Sequence, residues 1–239
     1  MSYADQASYT IRFEWGLSGL NSVGPGCGAI IVVDVLSFGT CVSIAVRRGA
    51  EVLPYRYRDA SAGELARTIR GILADERRTV GGLSLSPASL LNIPAGTRFV
   101  LPSPNGATIS LHAGELAPTG AGALRNARAI GRWANSQTDP IAVIACGERW
   151  HDDKLRPAWE DLIGAGAIIS ELAGSPSPEA ETAAAAFRAA RSNLGERLRN
   201  CASGRELIER GFASDVDLAA ELNADACAPV LRNGAFRSS

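Results

Sequence analysis

The stretch Ala-Ile-Ile-Val-Val-Asp-Val-Leu at residues 29–36 constrains the fold of this chain more than any other. It is apolar at every position except Asp34. Such a run offers no face to water, so as a strand it must be covered on both sides. Strands of that kind belong to parallel sheets, whose crossover connections lay helices over both faces. The rest of the chain meets that demand. "YTIRFEWGL" alternates and reads as an opening strand, and "PIAVIAC" is a second apolar run. "SFGTCVSIAVRRGAEVLPY" reads as a loop, a helix ending near Gly49 and a further strand. "TRFVLPS" is a strand and "NGATISLHAGE" a loop entering a helix, while "ALRNARAIGRWANSQ" and "PAWEDLIGAGAIISELAG" are helical. Ser61 and Glu64 form a capping box before "LARTIRGILADERR", and Ser203 and Glu206 a second one opening "SGRELIERG". A long alanine-rich helix is expected over residues 178–200.

Strands alternate with helices, which predicts an α/β fold of layered α/β/α type around a largely parallel or mixed sheet. We expect one domain over residues 1–239, with "AGSPSPEAE" at residues 173–181 the best place for a subdivision. A net charge of -1 gives no general attraction to nucleic acid or an anionic membrane. No apolar run reaches the roughly 18 residues of a membrane span. The N-terminus lacks a basic start followed by an apolar block, so a cytoplasmic protein is expected. Cys27, Cys41, Cys146, Cys201 and Cys227 are scattered without a CxxC pair, against both a disulfide framework and a zinc site. With His112 and His151 the only histidines, metal chemistry falls to carboxylates, which favour hard ions such as magnesium.

Ligands of α/β sheets bind beyond the carboxyl ends of the strands, and three strand ends here carry unusual residues. Asp34 ends the first apolar run, where an acid is costly unless paired or ligated. It is either a helix cap or ion-pair partner, or a metal ligand or catalytic carboxylate. "VLPSPNGATIS" sets Ser103, Asn105 and Gly106 before a helix start, which suits an anion such as phosphate and serves equally as a plain turn. The third end follows Cys146: Glu148 and Arg149 come after the strand, and Glu160 and Asp161 enter a helix. As neighbours on that helix, Glu160 and Asp161 cannot face the same way. Arg149 and Arg156 can hold a phosphate or carboxylate by bidentate contacts. Asp152 and Asp153 read as solvated loop residues. Acids alone would repel one another; a divalent cation with an anionic substrate would balance both signs.

Two superficial matches fail. "CVSIAVR" has the C-x5-R spacing of cysteine phosphatases, but its apolar branched residues form a helix face, and Cys41 lacks a thiolate-stabilising setting. "VVDVLSFGT" is similar to the opening of haloacid dehalogenase-type phosphatases, whose required second acid falls here on Leu36.

Taken in order, "VVDVLSFGT", "GLSLSPASL", "LPSPNGA", "LRNA" and "CGERW…LRPAWEDLIGAGAII" resemble the 2-phosphosulfolactate phosphatase family, the ComB-like proteins. "SGRELIERGFASDVDLAAELN" resembles that family's C-terminal segment, and the likeness spans about residues 28–232. The resemblance implies a ComB-like fold, a homodimer, and a magnesium-dependent phosphatase. Its substrate would be a small phosphorylated metabolite, 2-phosphosulfolactate, cleaved to sulfolactate and phosphate in coenzyme M biosynthesis. By matching motifs it implies Asp34, Glu148, Glu160 and Asp161 as metal ligands, with Asp34, Glu148 and Asp161 also catalytic. Ser86, Ser103, Asn105, Gly106 and Asn126 are implied as phosphate or pocket residues, and Arg149 and Arg156 join them on charge.

One departure bears on the substrate. Family members often read Asp-Val-Leu-Arg-Ala-Thr where this chain has Asp34-Val35-Leu36-Ser37-Phe38-Gly39-Thr40. Ser37 stands where an arginine would grip a phosphate or sulfonate, and Arg149 or Arg156 is the expected substitute. The alternative function is a catalytically inactive relative that senses a phosphorylated or sulfonated small molecule. Turnover of any phosphate ester separates the two.

Overall fold

Residues Ala29–Val33 form a strand buried at every position, beside Ile141–Ala145, which is buried in the same way. The computed structural model describes residues 3–77 and 81–239. In chain order the strands are β1 (Ile11–Trp15), β2 (Ala29–Val33), β3 (Glu51–Tyr55), β4 (Ile72–Leu73), β5 (Arg98–Pro102), β6 (Thr119–Gly122), β7 (Ile141–Ala145), β8 (Glu148–Arg149), β9 (Leu155–Arg156), β10 (Pro229–Arg232) and β11 (Ala235–Ser238). The helices are α1 (Gly16–Val23), α2 (Phe38–Arg47), α3 (Ala60–Thr68), α4 (Gly106–Leu116), α5 (Ala127–Ala134), α6 (Trp159–Ile169), α7 (Pro178–Ala190), α8 (Leu194–Asn200), α9 (Ala202–Glu209) and α10 (Ala213–Ala219).

Among the described residues, nine strands make one mixed sheet in the order β1-β7-β2-β6-β10-β11-β3-β5-β4, and β8 and β9 form a separate antiparallel pair. Strands β1, β7, β2 and β6 are mutually parallel. The β10–β11 hairpin is inserted antiparallel between β6 and β3. Parallel pairing then resumes through β3, β5 and β4.

The period-2 alternation of strand side chains divides the core. Ala29, Ile31 and Val33 of β2 join the apolar faces of α5, α6 and α7 on one side. Ile30 and Val32 join Leu20 and Val23 of α1 and Ile109 and Ala113 of α4 on the other. A third cluster packs Phe38, Cys41, Val42 and Ala45 of α2 against Val52, Phe99, Leu101 and Phe236. Helices therefore cover both faces, as the two-sided burial of β2 requires. Residues 173–181 are pinned to the sheet edge, where the Thr10 and Ile11 N–H groups donate to the Ser175 carbonyl. Among the described residues, no helix is long and apolar enough to cross a membrane.

Several local expectations are corrected. The expected 178–200 helix breaks into α7 and α8 around a 3-10 turn at Arg191–Asn193. There the Asn193 side chain accepts from Arg197 Nε at 2.7 Å, a local polar bond that competes with helix continuation. Asp59 caps α3 in place of Ser61, its carboxylate accepting the Ser61 N–H. That helix stops at Thr68, because Arg70 takes φ +52° and Ile72–Leu73 pairs with β5 as β4. Cys201 caps α9 in place of Ser203, its sulfur accepting the Gly204 N–H at 3.4 Å. Helix α1, strand β6 and the β10–β11 hairpin were not anticipated.

Candidate active site

The carboxyl ends of β2 and β7 meet the first turn of α6, and the loop after β5 joins the β7 end through Asn105. Asp34 follows β2 directly and is 8% exposed. Its Oδ1 accepts the Phe38 N–H at 3.0 Å, fixing the acid against the start of α2. On its other side lies Gly106, the first residue of α4. A Cβ there would stand 2.7 Å from Asp34 Oδ2 and 2.4 Å from the Phe38 ring, so only glycine lets this helix start approach so closely. Ser103 Oγ accepts the Gly106 N–H at 3.1 Å and holds the turn that leads into α4.

Glu160 and Asp161 are both buried in the first turn of α6, and their side chains diverge as adjacent helical residues must. Asp161 reaches both neighbouring loops. Its Oδ1 accepts the Val35 N–H and its Oδ2 the Gly147 N–H, each at 2.8 Å. It thus clamps the segments after β2 and β7 onto α6. Glu160 Oε2 accepts from Cys201 Sγ at 3.4 Å. Glu148 projects from the β8–β9 pair and is half-buried. Asn105 Nδ2 lies 3.2 Å from the Gly147 carbonyl and 3.5 Å from Glu148 Oε2, tying the β5 loop to the β7 loop.

Burial of like charges controls the electrostatics. Burial pushes the Asp34 carboxyl up to about 6; the Phe38 and Gly106 N–H groups and Arg77 pull it down, and Glu160 adds to the rise. Burial, with Asp34 and Glu160 beside it, pushes Glu148 up to about 7 against the pull of Arg156. Asp161 is raised well above its ordinary value by burial, Asp34 and Glu160, despite its two N–H donors. In water alone this cluster resists full ionisation near neutral pH.

The donor set is of the kind a hard cation such as magnesium takes: all the acids offer hard oxygens, and a cation would offset the burial and the repulsion that raise Asp34 and Glu148. Among the described residues, no three His, Cys, Asp or Glu side chains are already gathered as a complete metal cage. Magnesium does not require one, since it commonly takes one or two carboxylates and completes its shell with water and substrate phosphate.

The remaining expected residues divide by location. Arg149, at the rim, donates to Asn105 Oδ1 at 3.3 Å and to the Asp153 carbonyl at 3.1 Å. Arg156 donates to Ser203 Oγ at 3.1 Å and lies over the Trp150 ring at 5.7 Å. A cavity of about 190 Å³ opens beside Glu148, Asn105 and Arg149 and is walled by Trp15, Thr108 and Leu155. A larger cavity of about 740 Å³, near Ile11, Glu181 and Arg188, contains none of the candidate acids. Asn126 is fully buried and spends its amide on the turn after β6, accepting from Ala123 N–H at 2.9 Å and donating to the Ala121 carbonyl at 3.0 Å. Ser86 donates to Asp215 Oδ1 at 2.7 Å, in a neighbouring node.

Sequence reasoning missed Arg77. It lies in "ILADERR", read there as helix, yet Arg77 Nη2 donates to Ser37 Oγ at 2.8 Å. The expectation that Arg149 or Arg156 substitutes for the arginine absent at Ser37 is therefore corrected: the guanidinium beside Ser37 is that of Arg77. Gly71, inside the run read as helix, was the available sign that this segment leaves it.

The family model described as 2-phosphosulpholactate phosphatase matches residues 23–234. The chain is 32% identical over 203 residues to a protein of Carboxydothermus hydrogenoformans described as a probable 2-phosphosulfolactate phosphatase, covering 82% of each. It is 30% identical over 217 residues to the 2-phosphosulfolactate phosphatase of Methanothermobacter thermautotrophicus, covering 87% of this chain and 89% of that one. With an acid-lined site at converging strand ends, these likenesses define the class, a phosphoric monoester hydrolase on an α/β frame. Within that class, the chain belongs to the 2-phosphosulpholactate phosphatase family.

Proposed function

We propose that this chain hydrolyses 2-phosphosulfolactate to sulfolactate and phosphate, with magnesium as cofactor. The observation that carries this reading is the meeting of Asp34, Glu148, Glu160 and Asp161 with the glycine-led start of α4, in a member of this family. Asp34 and Glu160 are the side chains that would hold the ion, and bound magnesium would supply charge stabilisation to the phosphoryl oxygens.

The chain's own groups account for the rest. The N–H groups at the start of α4 and the Ser103–Gly106 turn receive phosphoryl oxygens. Glu148, pushed up to about 7 at the edge of the cavity, has the proton affinity of a general base at neutral pH. It takes a proton from water as the water oxygen bonds to phosphorus. The ester P–O bond breaks, the leaving alkoxide takes a proton from solvent to give the free hydroxy acid, and Glu148 returns its own proton to solvent. Asn105 orients Glu148, and Asp161 holds the two loops in register. Catalysis is then mainly positioning and electrostatics. The same reading extends to a cytoplasmic homodimer, for which sedimentation of the purified protein is the first check.

The test is phosphate release from a panel of small phosphate esters, 2-phosphosulfolactate included, with magnesium and with chelator. Magnesium-dependent release, greatest for 2-phosphosulfolactate, is expected. Silence on every ester, with magnesium still raising the melting temperature, would replace the enzyme with a metal-binding sensor.

A further inference from the structure

The site contains several acids, and its substrate is anionic, so the placement of cations decides what can bind. Arg149 is exposed, and Arg156 is engaged with Ser203 and Trp150. Arg77 differs from both. Its side chain is only 16% exposed. Its Nε donates to the Leu85 carbonyl at 3.0 Å, and its guanidinium lies 5.2 Å from the centre of the Phe212 ring. Its Nη2 donates both to the Leu85 carbonyl and to Ser37 Oγ, three residues after Asp34, which leaves the Nη1 N–H groups to meet a ligand.

The charge of Arg77 is not fully answered by the protein. The acid facing it is Asp215, whose Oδ2 lies 3.9 Å away, too far for a direct hydrogen bond. That oxygen is buried and has no hydrogen-bond partner among the described residues. The other oxygen of Asp215 is taken by Ser86 Oγ at 2.7 Å and the Ala88 N–H at 3.0 Å. Arg77 is thus a preformed, half-closed cation. A ring, a carbonyl and a serine orient it, and its field reaches Asp34.

We propose that Arg77 is a specificity-determining residue whose guanidinium receives the sulfonate of a substrate bound with its phosphate at Asp34 and the start of α4. The proposal rests on the phosphatase reading above. Sulfonate is a weak base that stays ionised throughout the working pH range. An arginine, itself weakly hydrated and forked, is the suited partner for such an anion in a partly dry site. Ser37 keeps Nη2 turned toward the Asp34 loop, which places the arginine's charge where a side chain at position 37 would otherwise have to supply it.

The test compares two esters, 2-phosphosulfolactate and 2-phospholactate, which differ in the sulfonate. In Arg77→Gln the preference for the sulfonated ester should fall roughly 10- to 100-fold, chiefly through KM, as expected for loss of a hydrogen bond between charged groups. Arg77→Lys should recover part of that preference, because it keeps the charge without the fork. Adding Ser37→Arg to Arg77→Gln should recover more of it. If both esters lose activity in proportion and the melting temperature falls, Arg77 is only a structural brace for Asp215, and the proposal is overturned. If the unsubstituted protein turns over neither ester, the phosphatase reading fails. The proposal is then decided by calorimetry with sulfolactate: binding weakened tenfold or more by Arg77→Gln sustains it, and equal binding ends it.

Discussion

Asp34→Asn should make the metal-free protein more stable at pH 8 while removing its activity. The buried Asp34 carboxyl is pushed from 3.8 to about 6. At about 1.4 kcal/mol per unit, holding it ionised costs the folded state roughly 3 kcal/mol. The direction follows from proton binding. Between about pH 4 and pH 6 the unfolded chain has released this proton and the folded chain still holds it, so stability falls as pH rises through that window and stays lower above it. Asparagine carries no charge and keeps an oxygen for the Phe38 N–H. Its NH2 would, however, face the Gly106 N–H in place of Oδ2, a donor-to-donor contact costing about 1–2 kcal/mol. The net gain at pH 8 is then about 1–2 kcal/mol, or a melting temperature roughly 2–8 °C higher for a chain of this size. Below pH 5 the gain should vanish or change sign, because Asp34 is protonated there in the unsubstituted protein. Scanning calorimetry in chelator at pH 5 and pH 8 measures both terms, and phosphate release in magnesium measures the loss of function. A substituted protein that melts lower at pH 8, or a difference that does not change between the two pH values, would refute the reasoning.

Two further outcomes are expected. Glu148→Gln should lower kcat by about 10²- to 10⁴-fold. Since the base must be deprotonated, the unsubstituted enzyme should lose activity as pH falls through about 7, and the substituted one should lack that limb; a retained limb assigns the base elsewhere. Asp225→Ala probes a network remote from the acids, where the fully buried Asp225 accepts from Ser43, Arg47 and Arg125. Removing it leaves two guanidinium nitrogens of the buried Arg125 unpaired, with Glu221 and the Leu218 carbonyl still on the third, and should cost about 1–3 kcal/mol in unfolding experiments while leaving kcat/KM near its original value at 25 °C. A loss below about 1 kcal/mol would show that the chain readily hydrates that guanidinium.

The frame was readable where burial left a residue type no alternative. A run such as Ile30–Val33 cannot be a surface segment, and the layered α/β architecture follows from it. Strand β6 was hidden because its sequence, Thr-Gly-Ala-Gly, answers to its neighbours. Ile130 and Trp133 press on Gly120, and Ile168 on Gly122, at distances that a Cβ would violate. Small residues are therefore required exactly where strand propensity would call for large ones. The β10–β11 hairpin, in contrast, carried a legible sign. Asn233 and Gly234 take φ +51° and +78°, the left-handed pair that Asn-Gly supplies to a two-residue turn. Helix α1 is rich in glycine and serine, and packing of Leu20 and Val23 overrides its poor propensity.

The site was legible to a different depth. Asp34 and Glu148 were legible as candidates from their places after strand ends, and Glu160 and Asp161 from the helix start that follows. Their division of labour was not, because it depends on which backbone N–H groups each oxygen meets. Asp161 satisfies the Val35 and Gly147 N–H groups, Asp34 meets those of Phe38 and Gly106, and Glu148 stands at the cavity with the freedom a base needs. The family departure at Ser37 also asked for a counter-charge, and the motifs offered Arg149 or Arg156 to supply it. A motif assigns partners by nearness in sequence, whereas a guanidinium answers a field through space. Arg77 comes from 40 positions away in the chain. Its approach depends on α3 ending at Thr68, on the short β4 pairing with β5, and on the Leu85 carbonyl and Phe212 ring lying where they do. The identity of the cation is therefore a property of the tertiary fold, which is why the acids could be named from the strand that carries them and their counter-charge could not.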